Sequence, residues 1–341
     1  MRLLRSLAVL AAAAAATVAG AIGMTTPPGE APERIAFQIA TGSSSGTYYP
    51  IGQMLASLIS HPPGVARCEA EGRCGPLGLI AAARASEGSI ANVRAVNEGR
   101  VTSGLAQADI AADAFEGRGV FKADGKAANL RAIAALFPET VHIVVMADSK
   151  IAAVKDLKGK RVSIDAAGSG TNAMARAILG DYKLTEKRVK FAFENADRSL
   201  EMLQAKELDA FFFVGGAPLG VVEELAAEGK IRLIPLEGKE IDALVSKAPY
   251  MSKAQIPAGT YRNMGAVPSI EVRAVWLVNA EVSNDLVFAI VRALFHPDNR
   301  GLLDSGHPKG KLIRLDTARD GLPVPLHPGA EAYYASLDKP N

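Results

Sequence analysis

The chain has 341 residues, 49% of them hydrophobic and 22% charged but only 6% aromatic, so any core must be built largely from Ala, Val, Ile and Leu. Its 38 Lys and Arg stand against 36 Asp and Glu for a formal charge of +2. That balance, with no basic run, excludes nucleic acid and anionic membrane surfaces as the partners around which the molecule is organised.

The opening MRLLRSLAVLAAAAAATVAGA sets Arg2 and Arg5 before an apolar stretch at 7–18, with small residues at Ala19 and Ala21. This is the pattern of a secretory signal peptide over residues 1–21. The apolar stretch is short and alanine-rich for a spanning helix, so an exported chain with no stable membrane insertion after signal removal is expected. Without the two leader arginines, 36 basic residues face 36 acidic ones. Residues 22–33, rich in Thr, Pro and Gly, read as a disordered lead-in. About 315 residues then remain, enough for two domains.

IAFQIA (35–40) reads as a strand and 48–59 as a helix with apolar residues at helical spacing. Between them lies GSSSGT (42–47). RCEAEGRC follows, and in an exported chain the spacing of Cys68 and Cys74 predicts a local disulfide. The five histidines, His61, His142, His296, His307 and His327, are scattered, and no metal site or cofactor is expected. A strand at 79–86, a helix at 90–99, a strand at 103–109, a helix from Ile110 and a strand at 130–137 come next. VHIVVMAD (141–148) follows, then a short helix and a strand at 161–165. The turn GSGT (168–171) opens a helix at 172–179. A strand around VKFAFEN, a helix at 199–206 and the wholly apolar DAFFFVGG (209–216) continue the alternation, the last requiring burial on both faces. A helix at 218–228, the strand IRLIPL, a long strand at 269–280, and helices at 285–295 and 331–337 complete the chain. Such alternation builds parallel sheets covered by helices. The C-terminal part is too short for a third domain and returns to the first, so the chain crosses between domains near 141–148 and 267–279.

The two Gly/Ser/Thr turns each follow a strand and open a helix, where small residues allow close backbone approach and free N–H groups and the dipole favour an anion. Their recurrence suggests two cradles facing across a cleft. The blocks ATGSSSGTYYPIGQMLASLI, SEGSIANVRAVNEGRVTSGLAQAD, LRAIAALFPETVHIVVMADS, DLKGKRVSIDAAGSGT, ELDAFFFVGG, IPAGTY and PLHPGAEAYY resemble the TAXI-type solute receptors of TRAP transporters, in order and over nearly the whole mature chain. The resemblance implies a monomeric periplasmic-binding-protein-like α/β fold of class II. Its two domains, 34–142 plus 268–341 and 143–267, would be joined by two crossing strands that form a hinge, with the ligand in the interdomain cleft. It also implies a periplasmic, non-enzymatic receptor that hands a small organic anion, such as a dicarboxylate, keto acid or acidic amino acid, to ion-coupled membrane permease subunits. A periplasmic sensor reporting to a membrane kinase would use the same clamp.

In the first turn Gly42, Ser43, Ser44 and Thr47 are the expected ligand donors, with one of Tyr48 and Tyr49 lining the cleft and the other packing in the core if the chain is extended there. Gly88, Ser89 and Asn92 form another helix-opening turn, in which Ser89 serves either a ligand or the helix as a cap. Glu87 beside them would repel an anion or hold an ammonium if it faced the cleft. Gln107 and Asp109 end a strand, where open α/β sheets make ligand contacts, although Asp109 also suits a helix cap. Gly168, Ser169, Gly170 and Thr171 form the opposing cradle, and Gly215 and Gly216 close another strand. Glu139 and His142 read more simply as hinge residues than as ligand contacts. Neither turn contains an arginine, so a guanidinium clamp would have to come from Arg176, Arg198, Arg262 or Arg273. GSSSG also matches G-x-S-x-G, with Asp320 and His327 downstream, but only one strand precedes it where a hydrolase elbow needs several.

Overall fold

Ten strands and ten α-helices lie along residues 33–338, the part of the chain described by the computed structural model. The expected signal peptide and nearly all of the lead-in lie outside those residues. The strands are β1 (Ile35–Ala40), β2 (Leu79–Arg84), β3 (Ser103–Gln107), β4 (Leu130–Met146), β5 (Arg161–Ser163), β6 (Lys190–Ala192), β7 (Ala210–Gly215), β8 (Ile231–Leu233), β9 (Met251–Ile256) and β10 (Val267–Asn279). The helices are α1 (Tyr48–Ile59), α2 (Ser89–Asn97), α3 (Ala108–Glu116), α4 (Gly170–Asp181), α5 (Ala196–Gln204), α6 (Gly220–Ala227), α7 (Lys239–Lys247), α8 (Asn284–Leu294), α9 (Arg300–Gly306) and α10 (Pro328–Leu337). Among the described residues no helix is long and apolar enough to cross a membrane.

The strands form one mixed sheet in the order β2-β1-β3-β10-β4-β7-β5-β6, with β8 on β4 and β9 on β10. β1 pairs in parallel with β2 and β3, and β5 in parallel with β6 and β7. Between these two parallel groups run β4 and β10, antiparallel to each other and long enough to serve both. β4 pairs with β10 over its first part and with β7 and β8 over its second, while β10 pairs first with β9 and then with β3. The expected strands at 130–137 and 141–148 are therefore one strand of 17 residues. Pro138 stays within it opposite Arg273, and the register shifts between Arg273 and Val275. A residue without an N–H is tolerated where the ladder is already irregular.

Local sequence explains the helix boundaries beside the parallel strands. α1 carries Pro50 in its first turn, where no intrahelical donor is needed, and His61-Pro62-Pro63 follows its end. α3 stops at Gly117, whose φ of 68° is left-handed. α4 begins at Ser169, whose hydroxyl accepts from the Asn172 N–H at 3.0 Å, and α5 at Asn195, which accepts from the Arg198 N–H at 3.0 Å. Tyr48 and Tyr49 are the first two residues of α1 rather than an extended pair.

Burial follows the sheet. AFFFVG of β7 is buried at every position, as its lack of alternation requires. The largest apolar cluster joins Val93 and Ile110 to Ile143, Ile164 and Met174, so α2 and α3 share a core with β4 and α4. A second cluster packs α1, α8 and α10 around Trp276, which is fully buried and donates its indole N–H to Ser103 Oγ at 3.1 Å. Cys68 and Cys74 are bonded to each other.

Candidate functional site

Five helices begin at one place. α1, α2 and α3 follow β1, β2 and β3, while α4 and α5 follow β5 and β6. The residues at all five helix starts, Thr47, Gly88, Gln107, Ser169 and Asn195, line one cavity of about 310 Å³ at the carboxyl ends of the parallel strands. An open α/β sheet places ligands there. Each helix start offers N–H groups without an intrahelical partner and the positive end of its dipole. The cavity therefore offers N–H donors and positive dipole ends although none of its lining residues is Lys or Arg.

The two turns face one another across this space. Gly42, Ser43, Ser44, Thr47 and Tyr48 line it from the first, and Ser169, Gly170 and Thr171 from the second; Gly88, Ser89 and Gln107 complete the expected set that reaches it. The Thr171 hydroxyl accepts from the Val214 N–H at 3.0 Å and the Thr47 hydroxyl from the Gly216 N–H at 3.0 Å. Each oxygen is thereby fixed while its O–H remains able to donate. A Cβ at Gly170 would sit 2.5 Å from Gln107 Cδ and 2.9 Å from Ser89 Oγ, so glycine is what lets the second turn pack against the starts of α2 and α3.

Six expected residues do not line the cavity. Asn92 is a staple: its amide donates to the carbonyls of Thr41 at 2.6 Å and Leu105 at 2.7 Å, and its oxygen accepts from Ser86 Oγ at 2.7 Å. Tyr49 is turned aside by the helical backbone, half-buried beyond the lining. Asp109 lies one residue inside α3, half-buried, and Gln107 takes the cap position expected of it. Gly168 has spent its N–H on Glu87 and its carbonyl on the Ala91 N–H. Gly215 is held in the ladder opposite Thr140, and Gly216 is committed to Thr47. Arg176, Arg198, Arg262 and Arg273 also lie outside the lining. Arg176 instead bonds Asn172 and Glu186 and stacks on Phe191.

Three carboxyls line the cavity: Glu87, Glu139 and Asp165. Glu87 Oε2 accepts from the Gly168 N–H at 2.9 Å. Glu139, 2% exposed on β4, accepts from the Tyr48 hydroxyl at 2.6 Å, and burial raises its pKa to about 8 despite that bond. Burial likewise raises Asp165 to about 6; it sits in the turn after β5 with φ of 67°. Lys309 packs its stem against Gly216 and acts on Glu139 from behind the wall. Asp165, Asn195 and Phe213 are not in the set expected from the sequence, although Asp165 lies just before the second turn and Phe213 just before the pair Gly215-Gly216. Glu139 reaches the cavity only because β4 runs unbroken through Pro138. His142 is fully buried beside it, bonded to Tyr261 Oη at 3.0 Å, with burial lowering its pKa to about 4.

The hydrolase arrangement is not assembled. His327 is fully buried at the start of α10, where its Nδ1 accepts from the Gly329 N–H at 3.2 Å. Among the described residues that line the cavity with Ser44 there is no histidine.

The chain matches the NMT1-like family over residues 39–336 and belongs to it. Its fold is similar to that of the periplasmic binding protein BugD, at 10% identity and a TM-score of 0.52, covering 89% of this chain and 95% of that one. Further similar structures include an ancestral arginine-binding protein bound to arginine (14% identity, TM-score 0.48, 82% and 99% covered). Another is the periplasmic aliphatic sulphonate binding protein SsuA from Escherichia coli (15%, 0.44, 88% and 78%). At these identities the likeness to BugD establishes the fold, a mixed α/β architecture of the periplasmic-binding-protein kind.

Proposed function

We propose that this member of the NMT1-like family is an exported solute receptor of the TAXI type. It would hold a small organic acid between the two turns and pass it to an ion-coupled TRAP-type permease. The observation that carries the reading is the convergence of five helix starts on one small cavity, a means of binding a carboxylate by dipoles and N–H groups without a fixed cation. Two sequence-distant segments supply the opposite walls, as a clamp requires. The sequence resemblance supplies the permease and the periplasmic location.

In this reading residues 34–142 with 268–341 form one lobe and 143–267 the other, hinged on β4 and β10. The first turn binds the solute in an open state, and closure brings Ser169, Gly170 and Thr171 onto it. Closure is driven only as far as the solute prefers the closed form. A thermal-shift screen over dicarboxylates, keto acids and amino acids, followed by calorimetry, tests the proposal. A hit whose affinity falls with Thr171→Trp while the apo protein stays folded supports the clamp. An unchanged affinity in that variant would refute it.

A further inference from the structure

Resting on the receptor reading above, we infer that Glu139 meets the solute as a neutral carboxylic acid and donates its proton from Oε1 to a solute oxygen, so that solute binding is coupled to a proton held at this residue. Glu139 stands on β4 opposite Val272 of β10 and lines the cavity while being only 2% exposed. Its Oε2 accepts from the Tyr48 hydroxyl at 2.6 Å, inside the wall. Its Oε1 has no hydrogen-bond partner among the described residues, yet it is not sealed within the protein as the unpartnered oxygens of Gln107 and Asp109 are. The cavity is the space that Oε1 faces. With the Tyr48 proton already on Oε2, the acid's own proton belongs on Oε1.

The groups around Glu139 favour the acid over the carboxylate. From α1 it receives the Tyr48 phenol, and from α3 the Asp109 carboxyl adds like charge. Lys309, in the turn Pro308–Leu312, attracts it through space, and burial weakens that lysine's hold on its own proton. On β10, Arg273 and Glu271 stand opposite Pro138 and Thr140, a pair of opposite sign flanking its position, and His142 of β4 itself is fully buried. The cavity's other two carboxyls each accept from a backbone N–H, Glu87 from Gly168 at 2.9 Å and Asp165 from Ala166 at 2.8 Å, bonds that suit a carboxylate. Glu139 has only the phenol, and its burial raises its pKa to about 8. A carboxylate at Oε1 would repel an anionic solute, whereas a carboxylic acid offers it an O–H···O⁻ hydrogen bond of the strong, charge-assisted kind. That donor serves a cavity whose lining has no Lys or Arg.

Calorimetry on the full chain tests the coupling, with succinate, glutarate, 2-oxoglutarate and L-glutamate as probes, whose carboxylates stay ionised from pH 7 to pH 9. When only the protonated form binds, a group titrating near 8 weakens binding about tenfold between those two pH values. At pH 8.5 the wild type should then take up about 0.7 of a proton per solute bound, read from binding heats in buffers of different ionisation enthalpy. Glu139→Gln can still accept from Tyr48 and donate to the solute but cannot titrate, so it should lose the pH dependence. Asp109→Asn should keep both the pH dependence and the proton uptake, because Asp109 does not line the cavity. The inference falls, with the receptor reading intact, if a probe binds the wild type equally tightly at pH 7 and pH 9 without proton uptake. It falls likewise if Glu139→Gln keeps the tenfold change or Asp109→Asn abolishes it. If no probe binds the wild type at any pH, the organic-acid reading itself fails and takes the inference with it.

Discussion

Replacing Glu139 by Gln should flatten the dependence of folding stability on pH. The native carboxyl, raised by burial from its ordinary 4.5 to about 8, holds its proton at pH 6.5, whereas the same group in the unfolded chain has lost it. The native state then binds more protons than the unfolded state, so stability falls as pH rises toward and through 8. Between pH 6.5 and 8 the native proton is present on average about four-fifths of the time. At ~1.36 kcal/mol per pH unit, this one group removes about 1.6 kcal/mol of stability across the window. Asp109, raised by burial to about 7, acts in the same direction. Asp165 at about 6 and His142 at about 4 titrate mainly below it. Urea unfolding of the wild type and Glu139→Gln at pH 6.5, 7.25 and 8.0, followed by circular dichroism, measures the difference. The glutamine oxygen can still accept from Tyr48, so the variant is expected to fold and to lose about 1.6 kcal/mol less than the wild type over the window. Parallel stability profiles for the two proteins would refute the claim that Glu139 is buried with its proton.

Thr171→Val removes the acceptor of the buried Val214 N–H and should cost about 1–3 kcal/mol in chemical denaturation, with Thr171→Ser close to wild type. Gly170→Ala drives a methyl into Gln107 and Ser89, which are both 2% exposed and have little room to retreat. Overpacking by about 1–3 kcal/mol should appear as lost stability in chemical denaturation. Asn92→Ala leaves the carbonyls of Thr41 and Leu105 without their side-chain donor, and its melting temperature should fall even though Asn92 does not line the cavity. A normal melting temperature in that variant would contradict the staple.

The elements that were legible in the sequence are those whose pattern is complete within a few residues. β1 and α1 occupy the expected ranges because IAFQIA is β-rich and residues 48–59 carry a full apolar stripe. α7 and β9 left no comparable trace: β9 is mostly exposed or half-buried along MSKAQI and owes its pairing to β10. The continuity of β4 was hidden by Pro138, which reads locally as a break and is accommodated by a register shift visible only beside β10. At the site, the glycine turns pointed to the cavity because backbone approach demands small residues. Asp165 and Phe213 lie just before glycines and Asn195 caps α5, but that their side chains meet in one cavity depends on pairing between sequence-distant strands. Asn92 and Gly168 show the opposite error, polar or permissive groups in the right motif whose bonds are already committed to the fold.

The N–H groups of Gly168, Ala91 and Gly216 end on Glu87, the Gly168 carbonyl and Thr47, all at or beside the rim of the cavity. On the clamp reading, these three amide protons are a built-in clock for opening. A hinge motion that parted the walls would open all three to exchange with solvent together. Their common exchange rate, read residue by residue in heavy water, would time the opening without any need to know what the cavity holds.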